Sequence, residues 1–218
     1  MVYASEQKRK DIKARREEWQ EQQKTMDQNH LIFLDESGVN LNMTRRYGRA
    51  IGKARVYDYV PLNTPRNTTL LSSIRIEDAT MVHKEISGAL NGVIFLEYIR
   101  NDLAPTLRQG DIVIMDNLRV HKVAGVRQAI EEKGASVLYL PPYSPDLNPI
   151  EMLWSKIKAF LREQKARDAV ILLDKIQEAY STISLQDILG WFSAAGYMQS
   201  FAELLYILST TPRITTAI

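Results

Sequence analysis

The stretch Leu31-Ile-Phe-Leu-Asp-Glu36 is a short apolar run that ends directly in two carboxylates. Such a run is too short for a helix and, being rich in apolar and aromatic residues, predicts a buried strand. Ile112-Val-Ile-Met115 repeats the pattern and is followed by Asp116, and Val137-Leu-Tyr-Leu140 is a third run of this kind. Two of these strands therefore end in a carboxylate at the edge where open α/β sheets place their sites.

The segments around these runs predict the remaining elements of a mixed α/β fold. Three further strands are expected, at Arg55–Tyr59, Thr69–Ile76 and Thr80–Ser87. The last two are expected to pair as an antiparallel hairpin across a tight turn at Glu77-Asp78. Four helices are expected, over residues 91–103, 121–132, 149–165 and 168–181. A block of hairpin strands followed by strand, helix, strand and helix predicts a mixed sheet with helices packed on it.

The composition is that of a soluble globular protein with one good-sized core. The 218 residues are 45% hydrophobic and 25% charged, with a net charge of only +2. The absence of cysteine excludes disulfides, thiolate metal sites and a cysteine nucleophile, and fits a reducing compartment. The longest uncharged stretch, residues 188–202, is too short and too polar for a bilayer, and the charged N-terminus is not a signal peptide. We therefore expect no membrane partner and a cytoplasmic location.

A third acid, Glu151, follows the segment Leu140-Pro-Pro-Tyr-Ser-Pro-Asp-Leu-Asn-Pro-Ile150 and opens the longest predicted helix. Two interpretations fit its position. With Asn148 as the N-cap and Pro149 at the first helical position, Glu151 would complete a capping box. Alternatively, it joins the two strand-end carboxylates in one site, although aspartates also punctuate strand ends for purely structural reasons.

Three such carboxylates form a set of hard oxygen ligands suited to two magnesium or manganese ions. Crowded carboxylates repel one another, and bound divalent cations would relieve that repulsion. Two metals roughly 4 Å apart can activate an attacking oxygen and stabilise the leaving oxygen of a phosphodiester. The acidic set therefore favours phosphoryl transfer on a nucleic acid.

Three blocks of the sequence resemble those of a known family. They are Leu34–Gly38, Met115–Asn117 followed by His121, and Pro142–Glu151, with 34 residues between the second and third acids. These blocks are similar to the signatures of the DDE transposases of the Tc/mariner superfamily, and the third acid being Glu resembles its bacterial insertion-sequence branch. The resemblance implies an RNase H-like α/β fold, with a mixed five-stranded sheet flanked by helices.

The resemblance also implies an activity. Asp35, Asp116 and Glu151 would be the catalytic triad and the ligands of two Mg²⁺ or Mn²⁺ ions. The enzyme would cut DNA at the ends of a mobile element and join the freed 3′-hydroxyl to target DNA, usually at a TA dinucleotide. Its expected partners are element ends, target DNA and further copies of itself on DNA. Two alternatives remain open: a stand-alone RNase H-like nuclease, and a non-catalytic remnant that binds DNA or pairs with a transposase and regulates it.

Basic residues supply candidate DNA contacts. From Ser37 to Tyr57 there is no acidic residue, and arginines and lysines accumulate there beside two tyrosines, a pattern suited to phosphates and an exposed base. The helix that begins near Glu151 carries more of them. The candidates are Arg45, Arg46, Arg49, Lys122, Lys156, Lys158 and Arg162. Ordinary solvated surface positions remain the alternative for each.

The remaining candidates are histidines and a glycine-containing loop. His30 and His83 have no spaced partner for a metal site and are interpreted as structural or surface residues. His121 could contact a residue of the acidic site or a substrate phosphate, or it could be an ordinary residue at a helix start. Residues 48–52 lack the Lys-Ser/Thr of a phosphate-binding loop, so no nucleotide cofactor is expected.

The predicted domain organisation has three parts. Residues 1–28, with seven basic and six acidic residues, are expected to form a charged helical linker arm that buries little. Residues 29–200 are the expected catalytic domain, and 201–218 a C-terminal tail. The family's helix-turn-helix modules do not fit into residues 1–28. We therefore expect a catalytic half, with an upstream helix-turn-helix half as a partner, arising as a frameshift product, a truncated copy or a fragment, in a bacterial nucleoid.

Overall fold

A computed structural model describes residues 5–45, 47–52, 54–62, 67–79 and 81–198. Its strands are β1 Leu31–Val39, β2 Thr68–Ile74, β3 Met81–Ser87, β4 Ile112–Met115 and β5 Ser136–Tyr139. Its α-helices are α1 Lys10–Gln23, α2 Gly92–Tyr98, α3 Val126–Glu131, α4 Ile150–Gln164, α5 Ala169–Ser181 and α6 Leu185–Ala194.

The five strands form one mixed sheet in the order β3-β2-β1-β4-β5. The hairpin strands are antiparallel: β1 pairs with β2, and β2 with β3. The later strands are parallel, with β4 beside β1 and β5 beside β4. Phe33 in the middle strand lies opposite Ile74 of β2 and Ile114 of β4. The predicted mixed five-stranded sheet flanked by helices is confirmed.

Both faces of the sheet are covered, and the alternation of side chains along β1 decides which residue meets which helices. Leu31 and Phe33 pack in the cluster that contains the buried faces of α4, α5 and α6. Ile32 and Leu34 pack in the other cluster, with α2 and α3. Continued alternation places Asp35 on the α4 side and Glu36 on the α2 side. Full burial of each large apolar side chain contributes about 1.5–3 kcal/mol, which fixes the strand register.

The helices predicted over residues 91–103 and 168–181 both form, with small shifts in their bounds. Asn91 caps α2, accepting from the backbone N–H groups of Val93 and Ile94, and a π-helical turn, Ile99–Leu103, continues it. Asp168 caps α5 in the same way. The sequence analysis missed α6. Its signal was the capping box of Ser184 and Asp187, both of whose hydrogen bonds form.

The predicted helix over 121–132 is wrong in its first half. Arg119–Lys122 forms only a short 3-10 turn, and α3 begins at Val126. Gly125 lies between them with φ of +92°, a left-handed conformation that glycine adopts without steric cost. The break separates the position of His121 from the helix that follows.

The predicted strand at Arg55–Tyr59 is also wrong. Residues 54–60 have no regular secondary structure, and Tyr57 and Tyr59 are 77% and 91% exposed. A strand in this sheet has to bury one face against a helix layer, and no described element covers this stretch. Apolar and aromatic composition alone therefore gave a false strand signal.

Residues 1–28 contain the expected charged helix, but α1 is docked on the domain and does not stand free in solvent. Trp19 is 5% exposed, and its indole Nε1 donates to the Tyr197 hydroxyl at 3.0 Å. Gln23 Nε2 donates to the Ala195 carbonyl at 2.7 Å. The expectation that this segment buries little is corrected by these contacts. The predicted boundary at 200 and the tail 201–218 lie outside the described residues.

Within the part of the chain that the structure describes, none of the helices combines the length and the apolar character needed to cross a bilayer.

Candidate active site

A cleft of about 440 Å³ opens where β1, the end of β4 and the start of α4 meet. Asp35 lies within β1, which continues to Val39 beyond the predicted strand end, so the expected position of Asp35 at a strand end is wrong. Asp116 follows β4 directly, and Glu151 lies in the first turn of α4. We call this the acidic cleft. Its other lining residues are Asn117, Leu118, Leu140, Pro141, Pro142, Tyr143, Ser144, Pro145 and Asn148. The three acids predicted from the sequence are thus brought to one cleft by three different elements.

Asp35 is the most enclosed of the three acids, with 8% of its surface exposed. One carboxylate oxygen accepts from the Glu36 backbone N–H at 2.8 Å, and the other from Asn148 Nδ2 at 3.2 Å. Burial, reinforced by the negative charges of Glu36, Glu151 and Asp116, raises the pKa of Asp35 to about 7. Burial and the neighbouring carboxylates therefore both favour the protonated form of Asp35.

The pKa of Asp116 is shifted in the opposite direction from that of Asp35. Burial alone would raise its pKa, but hydrogen bonds from His121 and from the Leu118 backbone N–H outweigh that effect and lower the pKa of Asp116. The distances from Asp116 Oδ1 are 2.8 Å to His121 Nδ1 and 2.9 Å to Leu118 N. Asp116 is therefore ionised at neutral pH.

His121 is fully buried beside the cleft. Its Nε2 lies 2.9 Å from Glu36 Oε2, so the ring bridges Glu36 and Asp116. Burial would lower the pKa of His121, but the hydrogen bonds to the two carboxylates raise it to about 9. Of the two interpretations offered by the sequence, the geometry fits a contact with a site residue rather than an ordinary helix start.

Glu151 lies at the exposed rim of the cleft. Partial desolvation raises the pKa of its carboxyl, Lys158 partly offsets the effect, and Asp116 adds to it. The capping-box interpretation is wrong: the N-cap is Pro149, and no side chain caps this helix. The Asn148 side chain, which was the expected cap, donates to Asp35 instead. The Glu151 carboxylate is thereby left for the cleft.

The loop between β5 and α4 is held by hydrogen bonds from Arg16 and Tyr197, which lie far from it in the sequence. Arg16 of α1 makes a bidentate pair with Asp146, its shorter contact being 2.6 Å, and donates to Ser144 Oγ at 2.7 Å. The Tyr197 hydroxyl donates to the Leu147 carbonyl at 2.9 Å. These residues were not predicted, because no local pattern links positions 50 to 130 residues apart. Such supports keep the loop that carries Asn148 in place.

The donor chemistry of the cleft fits a divalent metal. Within the described residues, no three acidic or histidine side chains converge to enclose a single ion. Magnesium, however, is usually held by one or two carboxylates, with waters and substrate phosphates completing its octahedron. Carboxylates spread around a cleft, with the pKa of Asp35 raised by burial and by its acidic neighbours, fit such partial coordination of metal ions.

The predicted DNA-contacting residues of α4 have different positions. Lys158 and Arg162 line a second cleft of about 400 Å³ with residues 38–44, and the Lys158 charge acts on Glu151. Lys156 instead pairs with Asp187 at 2.7 Å and donates to the Thr182 carbonyl, so it anchors α6.

The remaining candidates that the structure describes lie at the surface. Lys122 donates to Asn117 Oδ1 at 2.7 Å and lies over the Tyr139 ring. We call residues 45–57 the basic segment. Within it, Arg45 pairs with Glu163 at 3.1 Å, and Arg49 is exposed. Arg46 and Lys53 lie outside the described residues.

The other two histidines lie away from the cleft. His30 Nδ1 lies 3.3 Å from Asp111 Oδ1, at the opposite end of β4 from Asp116. The His83 ring stacks on Tyr180, with 3.9 Å between ring centroids. Both positions agree with the structural interpretation.

Comparison with known proteins adds relatives and structural neighbours. Two transposases of Caenorhabditis briggsae, of the transposable elements Tcb2 and Tcb1, are each 24% identical, over 109 and 106 residues. The alignments cover 48% and 47% of this chain, which spans only about 40% of the length of these relatives.

Among solved structures, the Mos1 transposase paired-end complex with left transposon end has a TM-score of 0.73 at 16% identity. That match covers 89% of this chain and 62% of that one. The catalytic domain of Mos1 mariner transposase matches with a TM-score of 0.63 at 16% identity, covering 90% of this chain and 94% of that one. At this identity the likeness shows the fold, and the expected RNase H-like architecture is confirmed.

A family model described as DDE superfamily endonuclease matches residues 30–172. The matched region contains all five strands, α4 and the three acids of the cleft. The chain therefore belongs to the DDE superfamily endonucleases.

Proposed function

We propose that this chain is the catalytic part of a DNA transposase, a metal-dependent DNA endonuclease and strand-transferase. The observation that carries the proposal is the convergence of Asp35, Asp116 and Glu151 on one cleft of an RNase H-like sheet, in a chain of an endonuclease family. Family membership supports DNA cleavage. Cutting at mobile-element ends and joining to target DNA are the finer parts of the proposal.

In this proposal Asp35, Asp116 and Glu151 hold two Mg²⁺ or Mn²⁺ ions. The bound metals would supply activation of the attacking oxygen and neutralisation of charge on the phosphate. Asn148 keeps one oxygen of Asp35 oriented while the cleft side of that carboxylate stays available. Lys158 and Arg162, on the same helix as Glu151, are placed to pair with phosphates of a strand that continues past the cleft.

The proposed reaction has two balanced steps. In the first, a water oxygen bonds to phosphorus and the P–O3′ bond breaks, which leaves a 3′-hydroxyl and a 5′-phosphate. In the second, that 3′-oxygen bonds to a target phosphorus, and the target's own 3′-oxygen leaves and takes up a proton. One phosphodiester is exchanged for another, so the joining step needs no nucleotide cofactor.

The complexes in which a structural neighbour was solved support the partners proposed here. Mos1 transposase was solved as paired-end complexes with Mg and with Mn, and as a strand transfer complex. By analogy we propose that this chain acts as a homo-oligomer on element ends and target DNA, with an upstream helix-turn-helix half. We also propose that the chain belongs to the bacterial insertion-sequence branch and acts in a bacterial nucleoid. This proposal rests on Glu151 as the third acid, and the two curated relatives, which are from a nematode, do not support it.

The proposal is tested with a duplex that carries the inverted repeats flanking the gene. Wild-type protein with Mn²⁺ should nick this duplex and should join a pre-cut 3′-hydroxyl end to a plasmid, whereas Glu151→Gln should do neither. Glu163→Gln is the matched control, because Glu163 lies on the same helix but is exposed and pairs with Arg45. Full activity of Glu151→Gln would contradict the proposed site.

The same assay separates the alternatives. A stand-alone nuclease would nick the duplex without forming joined products. A non-catalytic remnant would bind DNA and show no metal-dependent product. Joined products of the expected length, absent in the Glu151→Gln variant, support strand transfer over both.

A further inference from the structure

The His121 side chain contacts two carboxylates, and the reaction proposed above assigns it no role. Its Nδ1 lies 2.8 Å from Asp116 Oδ1, and its Nε2 lies 2.9 Å from Glu36 Oε2. Both are ordinary lengths for N–H groups that donate to carboxylate oxygens. The ring is therefore a rigid bridge between two acids.

The ring itself is tightly held. His121 has no exposed surface, and its ring lies 4.7 Å from the Phe95 ring between centroids. Its carbonyl accepts from the Tyr139 hydroxyl at 3.4 Å. A side chain packed in this way has few alternative rotamers, so it can fix the orientation of the group that it contacts.

The bridge joins the middle of β1 to the end of β4. Glu36 belongs to β1 and, by the alternation along that strand, lies on the α2 side, whereas Asp35 lines the cleft. Asp116 follows the four-residue strand β4, and its other hydrogen bond comes from its own loop, from Leu118. The contact through His121 therefore ties Asp116 to β1, the strand at the centre of the sheet.

We propose, on the basis of the function proposed above, that His121 is a positioning residue that orients the Asp116 carboxylate for metal binding and is itself held by Glu36. Hydrogen-bond partners of metal ligands typically contribute 10–100-fold in metal affinity. Glu36 would thus influence metal binding in two ways: by holding His121, which orients Asp116, and by placing a negative charge beside Asp35.

The test is a titration of the protein with Mn²⁺, in which free Mn²⁺ is counted by electron paramagnetic resonance without DNA. Asparagine carries its amide nitrogen one bond from Cγ, as His Nδ1 does, and glutamine carries its own two bonds away, as Nε2 does. His121→Asn can therefore still donate to Asp116, and His121→Gln only to Glu36. We expect affinity near wild type for His121→Asn and a loss of about 10–100-fold for His121→Gln.

His30→Ala is the matched control, because His30 also contacts an aspartate but lies at the other end of β4. It should leave Mn²⁺ affinity unchanged. Equal affinities for the Asn and Gln variants, whether both weak or both strong, would overturn the proposal, since a ring that only fills space does not distinguish two donor positions.

Melting temperatures check that the variants fold. If neither His121 variant folds, Glu36→Ala and Glu36→Gln decide: both remove the charge, but only Gln keeps an acceptor for the ring. Weaker Mn²⁺ binding by the Ala variant supports the proposal, and equal binding overturns it. Absence of Mn²⁺ binding by wild type overturns it too. Mn²⁺ binding by wild type without nicking of DNA would contradict the proposed function alone.

Discussion

The acidic cleft contains a residue of β1, and the basic segment comes shortly after β1 in the chain, yet the two regions differ in how firmly their side chains are held. At the cleft, Asp35 is held by Asn148 and Asp116 by His121, both of them buried donors from other elements. In the basic segment, by contrast, Tyr47 is 91% and Ile51 99% exposed, and no strand or helix is described there.

The difference indicates two kinds of contribution. A metal-dependent reaction needs carboxylates whose positions are fixed before the substrate arrives, and a buried hydrogen-bonded site provides that. Phosphate attraction needs charge near a strand but little fixed geometry, so exposed residues suffice. Substitutions in the cleft should therefore act through large, position-specific losses, and those among the basic residues through small, salt-dependent ones.

The largest expected effect tests whether the cleft residues act as one unit. Asp35→Asn, Asp116→Asn and Glu151→Gln should each reduce cleavage by about 10³-fold or more, because each removes several kcal/mol of metal-borne stabilisation. Nicking and melting are measured on the same preparations. Unchanged nicking in any one variant would remove that residue from the catalytic set.

A second prediction concerns stability in the absence of metal. The pKa of Asp35 is about 7 in the folded chain and near 3.8 in the unfolded chain, so the folded state binds its proton more tightly. Stability is therefore lost as pH rises from about 4 to about 7, by up to about 4 kcal/mol. The Asp35→Asn variant lacks this pH-dependent loss. Its free energy of unfolding, measured with urea in the presence of EDTA, should therefore exceed that of wild type by an amount that grows from about pH 4 to about pH 7.

A pH-independent difference between these two proteins would show that neither burial nor the neighbouring carboxylates raise the pKa of Asp35. The comparison between cleft and basic segment would then lose its electrostatic basis. Asp58→Asn, which removes an exposed ion pair with Lys165, serves as the control and should show no gain in stability at high pH.

The third effect is stabilisation by bound metal. Mg²⁺ or Mn²⁺ at one hundred times Kd should add about 2.7 kcal/mol to the free energy of unfolding of wild type and so raise its melting temperature. The melting temperature of the Asp35→Asn/Asp116→Asn double variant should hardly change. Ca²⁺ should stabilise without supporting cleavage, because its looser coordination suits in-line displacement poorly. Equal shifts in wild type and double variant would place the metal elsewhere.

The smallest effects are expected among the basic residues. Lys158→Ala and Arg49→Ala should each flatten the slope of log affinity for DNA against log salt by about one unit. Lys156→Ala is the control on the same helix, α4: because Lys156 pairs with Asp187, it should lower the melting temperature and leave the slope nearly unchanged. A flatter slope for Lys156→Ala would show that this ion pair opens on DNA.

The same chain should also discriminate little between DNA sequences. Its basic residues are placed for phosphates, which carry no sequence information. Competition at fixed salt between element-end and scrambled duplexes measures this. Strong preference for element ends would require a base-reading element within residues 1–28 or 168–218.

Local patterns predicted much of the fold because they are set by short-range chemistry. The runs at β1, β4 and β5 are each apolar, and α4 and α5 repeat apolar residues on one face. The same logic failed at residues 54–60, where aromatic composition was not matched by a surface to bury it. It also failed at Gly125, whose left-handed backbone interrupts an otherwise helical pattern.

The sequence by itself determined the three carboxylates, the position of Asp116 after a strand and of Glu151 at a helix start, and their family resemblance, because each depends on residues close together in the chain. Only the tertiary structure decided their partners. The Asn148 amide contacts Asp35 instead of capping α4, His121 joins Asp116 to Glu36, and Lys156 anchors α6. These contacts link residues from separate elements, and such pairings arise only when burial of the two sheet faces has fixed where each element lies.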